Sequence, residues 1–231
     1  MIYPTVTSEH ETLALVVAGR SLARYGDGEF KMCEGSGIKS QQAHPGLATR
    51  LREILKASGE CLVGIPNIVS ETPKAPFWNA HRLRFAAHLS ADRSYVSSFI
   101  TRPDSAPWID EPSYWDALES LWRDQDVTLV RGSGKSLTAE DLVGAGQVTE
   151  ILAPRQHAFA EYEALLERIG RPRRALLCVG PTATVMAGPR GMRGGCGSRR
   201  TCLEHGLGSR SFDGILRGSP LSRRPDLCDH G

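Results

Sequence analysis

The chain has 231 residues, 40% hydrophobic and 23% charged, which fits one soluble α/β domain with some chain left over. A net charge of +2 does not call for a nucleic-acid surface, and no run of 18 apolar residues offers a spanning helix. The opening Met1–Glu11 has neither a basic start nor an apolar core, so no export is expected and the six cysteines read as reduced cytosolic thiols.

Residues 1–187 alternate strand and helix patterns. Ser8 and Glu11 form a capping box ahead of the apolar Leu13–Val17, which predicts an opening helix. A strand over Ser21–Tyr25 leads into Gly26-Asp27-Gly28-Glu29. Pro45 starts a helix with Leu47, Leu51, Ile54 and Leu55 on one face. Strands follow at 61–65, 94–100, 126–130, 148–153 and 175–180, separated by helices near 77–89, 114–122 and 157–169. A last helix begins at Gly180-Pro181-Thr182. Continuous apolar strands alternating with helices predict a Rossmann-like parallel sheet with helices on both faces.

From about residue 188 the composition changes. The last 45 residues hold 10 of the 24 glycines and eight arginines against four acids, with no lysine and no valine. That is too little apolar surface to repay the entropy of ordering it. The expectation is one domain over 1–187 and an irregular, disordered tail over 188–231.

In parallel α/β sheets ligands bind at the carboxyl ends of the strands. Asp27 and Glu29, Arg102-Pro103 and Gly180 to Thr182 all follow strands; Asp124-Gln125-Asp126 precedes one and reads as a solvated turn. In extended backbone, Asp27 and Glu29 at i, i+2 point to the same side. Such a pair suits a hard divalent cation that completes its shell with water and phosphate. Gly26 and Gly28 would let a diphosphate approach the backbone, and Arg24 supplies a planar fork for phosphate. The same spacing also suits a surface turn with Arg24 and Glu29 paired, and spacing alone does not choose between the two.

Other motifs carry less. Gly132–Ser136 resembles a phosphate loop, but Leu129 stands where its first glycine belongs. Cys196, Cys202, His205, Cys228 and His230 match no common zinc spacing. His157 reads as either a cap residue or a site group.

The segment Ser21–Phe30 resembles the bacterial glycosyltransferases of the GT-D fold, once catalogued as a domain of unknown function and marked by an Arg-[Phe/Tyr]-Gly-Asp-Gly-Glu segment. Gln41-Gln42, the stretches 61–67, 97–104 and 151–159, and Leu176–Ala187 agree in order. The resemblance implies a metal-dependent, hexosyltransferase-type enzyme. It would move a sugar from a nucleotide-sugar donor to a saccharide or glycoconjugate acceptor in bacterial polysaccharide assembly, in the cytoplasm or at the inner face of the membrane. It also implies that Asp27 and Glu29 bind Mn2+ or Mg2+. Arg24, Gly26, Gly28, Arg102, Gly180, Pro181 and Thr182 would hold the donor. The alternative is a non-catalytic nucleotide- or saccharide-binding domain. The resemblance stops near Ala187. Twenty-three arginines against five lysines suggest a G+C-rich gene, and a frameshift near codon 187 would yield such a tail.

Overall fold

A computed structural model describes residues 2–57, 61–69, 72, 74–102, 105–106, 111–132, 137–188 and, as backbone, 201–204. Eight parallel strands form one sheet in the order β1-β4-β3-β2-β8-β7-β5-β6. These are β1 (Val6–Thr7), β2 (Leu22–Arg24), β3 (Leu62–Ile65), β4 (Tyr95–Ser97), β5 (Val127–Gly132), β6 (Val148–Ala153), β7 (Arg174–Cys178) and β8 (Thr201–Glu204). The helices are α1 (Glu9–Val17), α2 (Asp27–Cys33), α3 (Pro45–Lys56), α4 (Ala75–Ala86), α5 (Pro112–Glu119), α6 (Tyr162–Ile169) and α7 (Pro181–Ala187). Helices α2, α3, α6 and α7 pack together, and α1 packs with α5 and β4.

The predicted Rossmann-like architecture is present. Strands β2, β3, β4 and β7 are buried almost throughout, as a sheet covered on both faces requires. The predicted box at α1 is made: the Ser8 amide and hydroxyl donate to Glu11 Oε2 at 3.2 and 2.6 Å. Pro45 opens α3, behind His44, whose Nδ1 accepts from the Gly46 amide at 3.1 Å. The strand expected over 94–100 ends early, at Ser97. There the Ser97 hydroxyl accepts the Phe99 amide at 3.1 Å and starts a 3₁₀ turn over Ser98–Thr101. Likewise Ala158–Glu161 is a 3₁₀ turn ahead of α6.

The tail needs a correction. Regular structure was not expected anywhere in 188–231, yet Thr201–Glu204 is a strand between β2 and β7. Arg174, Ala175, Leu176 and Leu177 pair with it in register, and Leu22 pairs with Leu203 from the other side. Without β8, the half-sheet ending in β2 and the half-sheet beginning with β7 would each carry an open edge. The other tail residues from 189 onward, including Cys196, His205, Cys228 and His230, lie outside the described residues, as do Ser133–Ser136 of the glycine-serine segment. Among the described residues no helix is long and apolar enough to cross a membrane. Cys33, Cys61 and Cys178 are buried thiols, and burial pushes Cys33 up to about 12.

At the β6 edge, Glu150 accepts from Arg131 Nη2 at 2.9 Å and from the Ala139 amide at 2.7 Å. The Arg131 hydrogen bond holds its carboxyl below the usual range. A lowered carboxylate contributes stability above its ordinary pKa and loses it as the pH falls through the lowered value. The side chain is partly solvated, so the contribution is below about 1 kcal/mol. Glu150→Gln should therefore lower the melting temperature slightly at pH 7 and coincide with the wild type in strong acid.

Candidate active site at the carboxyl edge of the sheet

Strand β2 ends at Arg24, and the chain turns at once into α2, with Gly26 as its N-cap. Asp27 and Glu29 are thus the first and third residues of a helix, not members of an extended segment. A helical i, i+2 pair diverges by about 200° around the axis, unlike a pair in extended backbone, although both residues border one cleft. The reason is local: the Gly26 amide would be orphaned at the helix start, and Glu29 Oε2 accepts it at 2.7 Å.

The two acids consequently have different surroundings. Asp27 is half-buried and accepts from Lys31 Nζ at 3.3 Å. Glu29 is 3% exposed. Burial pushes its carboxyl up, against the pull of the Arg24 guanidinium and the Gly26 amide. Arg24 is buried too, with Nε donating to the Ser98 carbonyl at 3.4 Å. A Cβ on Gly26 would lie 3.0 Å from Arg24 Nη2 and 3.3 Å from Glu29 Oε2, so the guanidinium and carboxylate crowd the face of the glycine where a side chain would stand. Glu29→Ala should cost about 2–4 kcal/mol, since it strips a buried amide of its acceptor and a buried guanidinium of a facing charge. Glu29→Gln keeps an acceptor and should cost less; equal melting of wild type and Glu29→Ala would contradict this placement.

Opposite Gly26, β7 ends and Gly180 adopts φ +60° and ψ −144°, a conformation that side chains resist. Pro181 then begins α7, and the Thr184 hydroxyl donates to the Arg24 carbonyl at 2.9 Å, tying α7 to the end of β2. Between these ends lies a cleft of about 90 Å³. It is lined by Arg24, Gly26, Asp27, Gly28, Glu29, Arg102, Gly180 and Pro181, together with Ile38 and Ser40. The sequence reading thus finds eight of these ten wall residues. Thr182, expected beside them, is fully buried, and its hydroxyl lies 3.5 Å from Gln41 Oε1, so it serves the wall from behind. Ile38 and Ser40 were missed because they sit in an irregular connection between α2 and α3 with no motif of its own. His157 caps the 3₁₀ turn before α6 with φ +58°, and its Nδ1 accepts the Gln42 amide at 3.0 Å. The Asp124–Asp126 turn precedes β5, at the opposite edge of the sheet from this cleft.

The profile of a family described as glycosyltransferase GT-D fold matches residues 22–190, which include every residue of the cleft. The chain belongs to the GT-D glycosyltransferase family. This GT-D chain is 30% identical over 192 residues to a Streptococcus gordonii protein named as a probable glycosyl transferase, Gly, covering 74% of this chain and 28% of that one. It is 29% identical over 195 residues to glycosyltransferase GlyD of Streptococcus pneumoniae serotype 4, covering 77% of this chain and 24% of that one. The chain therefore spans about a quarter of the length of these curated relatives. Among solved structures, the GT-D chain resembles one of domain of unknown function 1792, described as having a distinct glycosyltransferase fold. The TM-score is 0.79 at 28% identity, over 94% of this chain and 83% of that one. A structure described as a new glycosyltransferase from Streptococcus sanguinis matches with TM-score 0.77 at 27% identity, over 93% and 85% of the two chains.

Proposed function

We propose that this GT-D chain transfers a sugar from a nucleotide-sugar donor to a saccharide or glycoconjugate acceptor, with Mn2+ or Mg2+ at the donor diphosphate. The observation that carries the reading is the meeting of Asp27, Arg24 and Arg102 in one glycine-walled cleft at the carboxyl ends of parallel strands. The donor set fits a hard cation through one carboxylate: Asp27 is accessible, and such ions take one or two carboxylates plus phosphate and water. Glu29 is a poorer ligand, because one of its oxygens is engaged with Gly26 and the side chain is buried. When bound, the cation would neutralise charge on the departing nucleoside diphosphate.

The chain's own groups do the remaining work. Arg24 and Arg102 offer planar donors to phosphate oxygens. Gly26, Gly28 and Gly180 let Arg24, Glu29, Ile38 and Ser40 close against the backbone of the cleft, while Pro181 forms part of the opposite wall. An acceptor hydroxyl attacks the anomeric carbon as the diphosphate departs. The reading places this chemistry in bacterial polysaccharide or glycoconjugate assembly.

A donor-hydrolysis assay over a panel of nucleotide sugars, with Mn2+ and with chelator, tests this reading. Metal-dependent release of one nucleoside diphosphate is expected. Nucleotide binding without turnover, with acceptors supplied, would instead favour a non-catalytic binding domain.

A further inference from the structure

The connection between α2 and α3 contains a closed turn at Ile38–Gln41. The Ile38 amide donates to the Gln41 carbonyl at 2.8 Å, and the Gln41 amide donates back at 3.2 Å. The turn is fastened to the loops that follow two other strands. After β6, the His157 amide donates to the Ser40 carbonyl at 2.9 Å, and His157 Nδ1 accepts the Gln42 amide at 3.0 Å. The deepest fastening is the Gln41 side chain, which is 4% exposed. Its Oε1 accepts the Phe159 amide at 3.3 Å and the Thr182 hydroxyl at 3.5 Å, joining the loop after β6 to the first turn of α7.

The two outward residues of the turn, by contrast, face the cleft. A Cβ on Gly28 would sit 3.3 Å from Ile38 Cδ1, and one on Gly180 would sit 3.5 Å from Ser40 Oγ. Ser40 is exposed, and its hydroxyl makes no hydrogen bond among the described residues. A short buried clamp therefore holds an apolar side chain over the first turn of α2 and a hydroxyl beside Gly180, between the elements that carry Asp27 and Arg24 on one side and Pro181 on the other.

We infer that the Ile38–Gln41 turn is the third wall of the donor site: Ser40 Oγ–H donates to a donor phosphate oxygen, and Gln41 is the positioning residue that holds Ser40 in place. The inference rests on the nucleotide-sugar reading above and adds to it. A hydroxyl rather than a fourth positive group suits this position, because Arg24, Arg102 and a divalent ion already supply positive charge to a diphosphate.

The test uses the full chain and its Ser40→Ala and Gln41→Met variants. Met keeps the length of the side chain while deleting its hydrogen bonds. Each is titrated calorimetrically with uridine, guanosine, cytidine, adenosine and thymidine diphosphates in Mn2+, and donor hydrolysis is measured in parallel. Ser40→Ala should weaken the preferred diphosphate about tenfold, as expected for a lost hydrogen bond to a charged group. Gln41→Met should weaken it at least as much. In both, the donor KM should rise while kcat stays within about twofold of wild type. Thr182→Val, which deletes the hydroxyl that meets Gln41, should follow Gln41→Met. Wild-type affinity in Ser40→Ala overturns the inference while leaving the parent reading intact; equal loss of kcat and kcat/KM in Gln41→Met removes its positioning role. Failure of the wild type to bind any of the five diphosphates overturns the parent reading, and this inference with it.

Discussion

Asp27→Ala should lower metal-dependent donor turnover by at least about a hundredfold, the usual scale for removing a group that stabilises transition-state charge. Its melting temperature should stay close to that of the wild type. Asp27 sits on the first turn of α2 with its carboxylate partly in solvent and, among the described residues, Lys31 as its surface ion-pair partner. Exposed pairs of this kind are worth less than about 1 kcal/mol, so little folding energy rides on the residue. Glu29, two positions on, should show the opposite pattern, because its carboxylate is spent inside the protein on the Gly26 amide and against Arg24. Turnover and melting measured side by side for the two alanine variants separate the roles. A strongly destabilised Asp27→Ala, or one that retains full activity, would refute the assignment.

A chain ended after Gly188 should lose most of its stability. Strand β8 lies between β2 and β7, so its removal opens the sheet at its centre instead of trimming an edge. Four register pairs with β7 and one with β2 are lost. Taking about one hydrogen bond per pair at about 0.5–1.5 kcal/mol net, the loss is roughly 2.5–7.5 kcal/mol. That is comparable to the whole stability of many domains. Thermal melting of the truncated chain should begin far below that of the full chain, and trypsin should then digest 1–188 rather than leave it as a resistant core. A truncated chain as stable and protease-resistant as the full one would show that the strand contributes nothing.

These two results also mark what was legible in the sequence. The long elements were, because β3, β5, β6 and β7 combine apolar runs with turn residues, and α3 carries Pro45 and a one-sided apolar stripe. Strand β1 has two residues, and β8 has four in a glycine- and arginine-rich setting. Neither is long enough to show a period, and both exist because neighbouring strands offer them partners. Much of the candidate cleft was visible through one rule, that ligands gather where parallel strands end, which selected Asp27, Glu29, Arg102 and Gly180-Pro181 along with the buried Thr182.

The local geometry was hidden by an ambiguity in the motif. Gly-Asp-Gly-Glu reads as a metal-binding pair in extended backbone or as a surface turn with Arg24 and Glu29 paired, whereas it is a helix start whose third residue reaches back to its cap. The Gly26 amide finds its acceptor in Glu29, so the segment is a helix start and the Glu29 side chain is buried. Ser40 was invisible for a different reason, and Gln41 entered only through the family resemblance, without a role. A turn fastened through contacts more than a hundred residues away, to Phe159 and Thr182, leaves no local pattern to read.

The most direct test of the central claim is calorimetric titration of nucleoside diphosphates into the full chain, with Mn2+ and with chelator, alongside Asp27→Asn. The account predicts one preferred diphosphate that binds at least tenfold more tightly with Mn2+, and loss of that metal dependence in Asp27→Asn. Binding that is indifferent to metal, or a metal effect that survives Asp27→Asn unchanged, would contradict it.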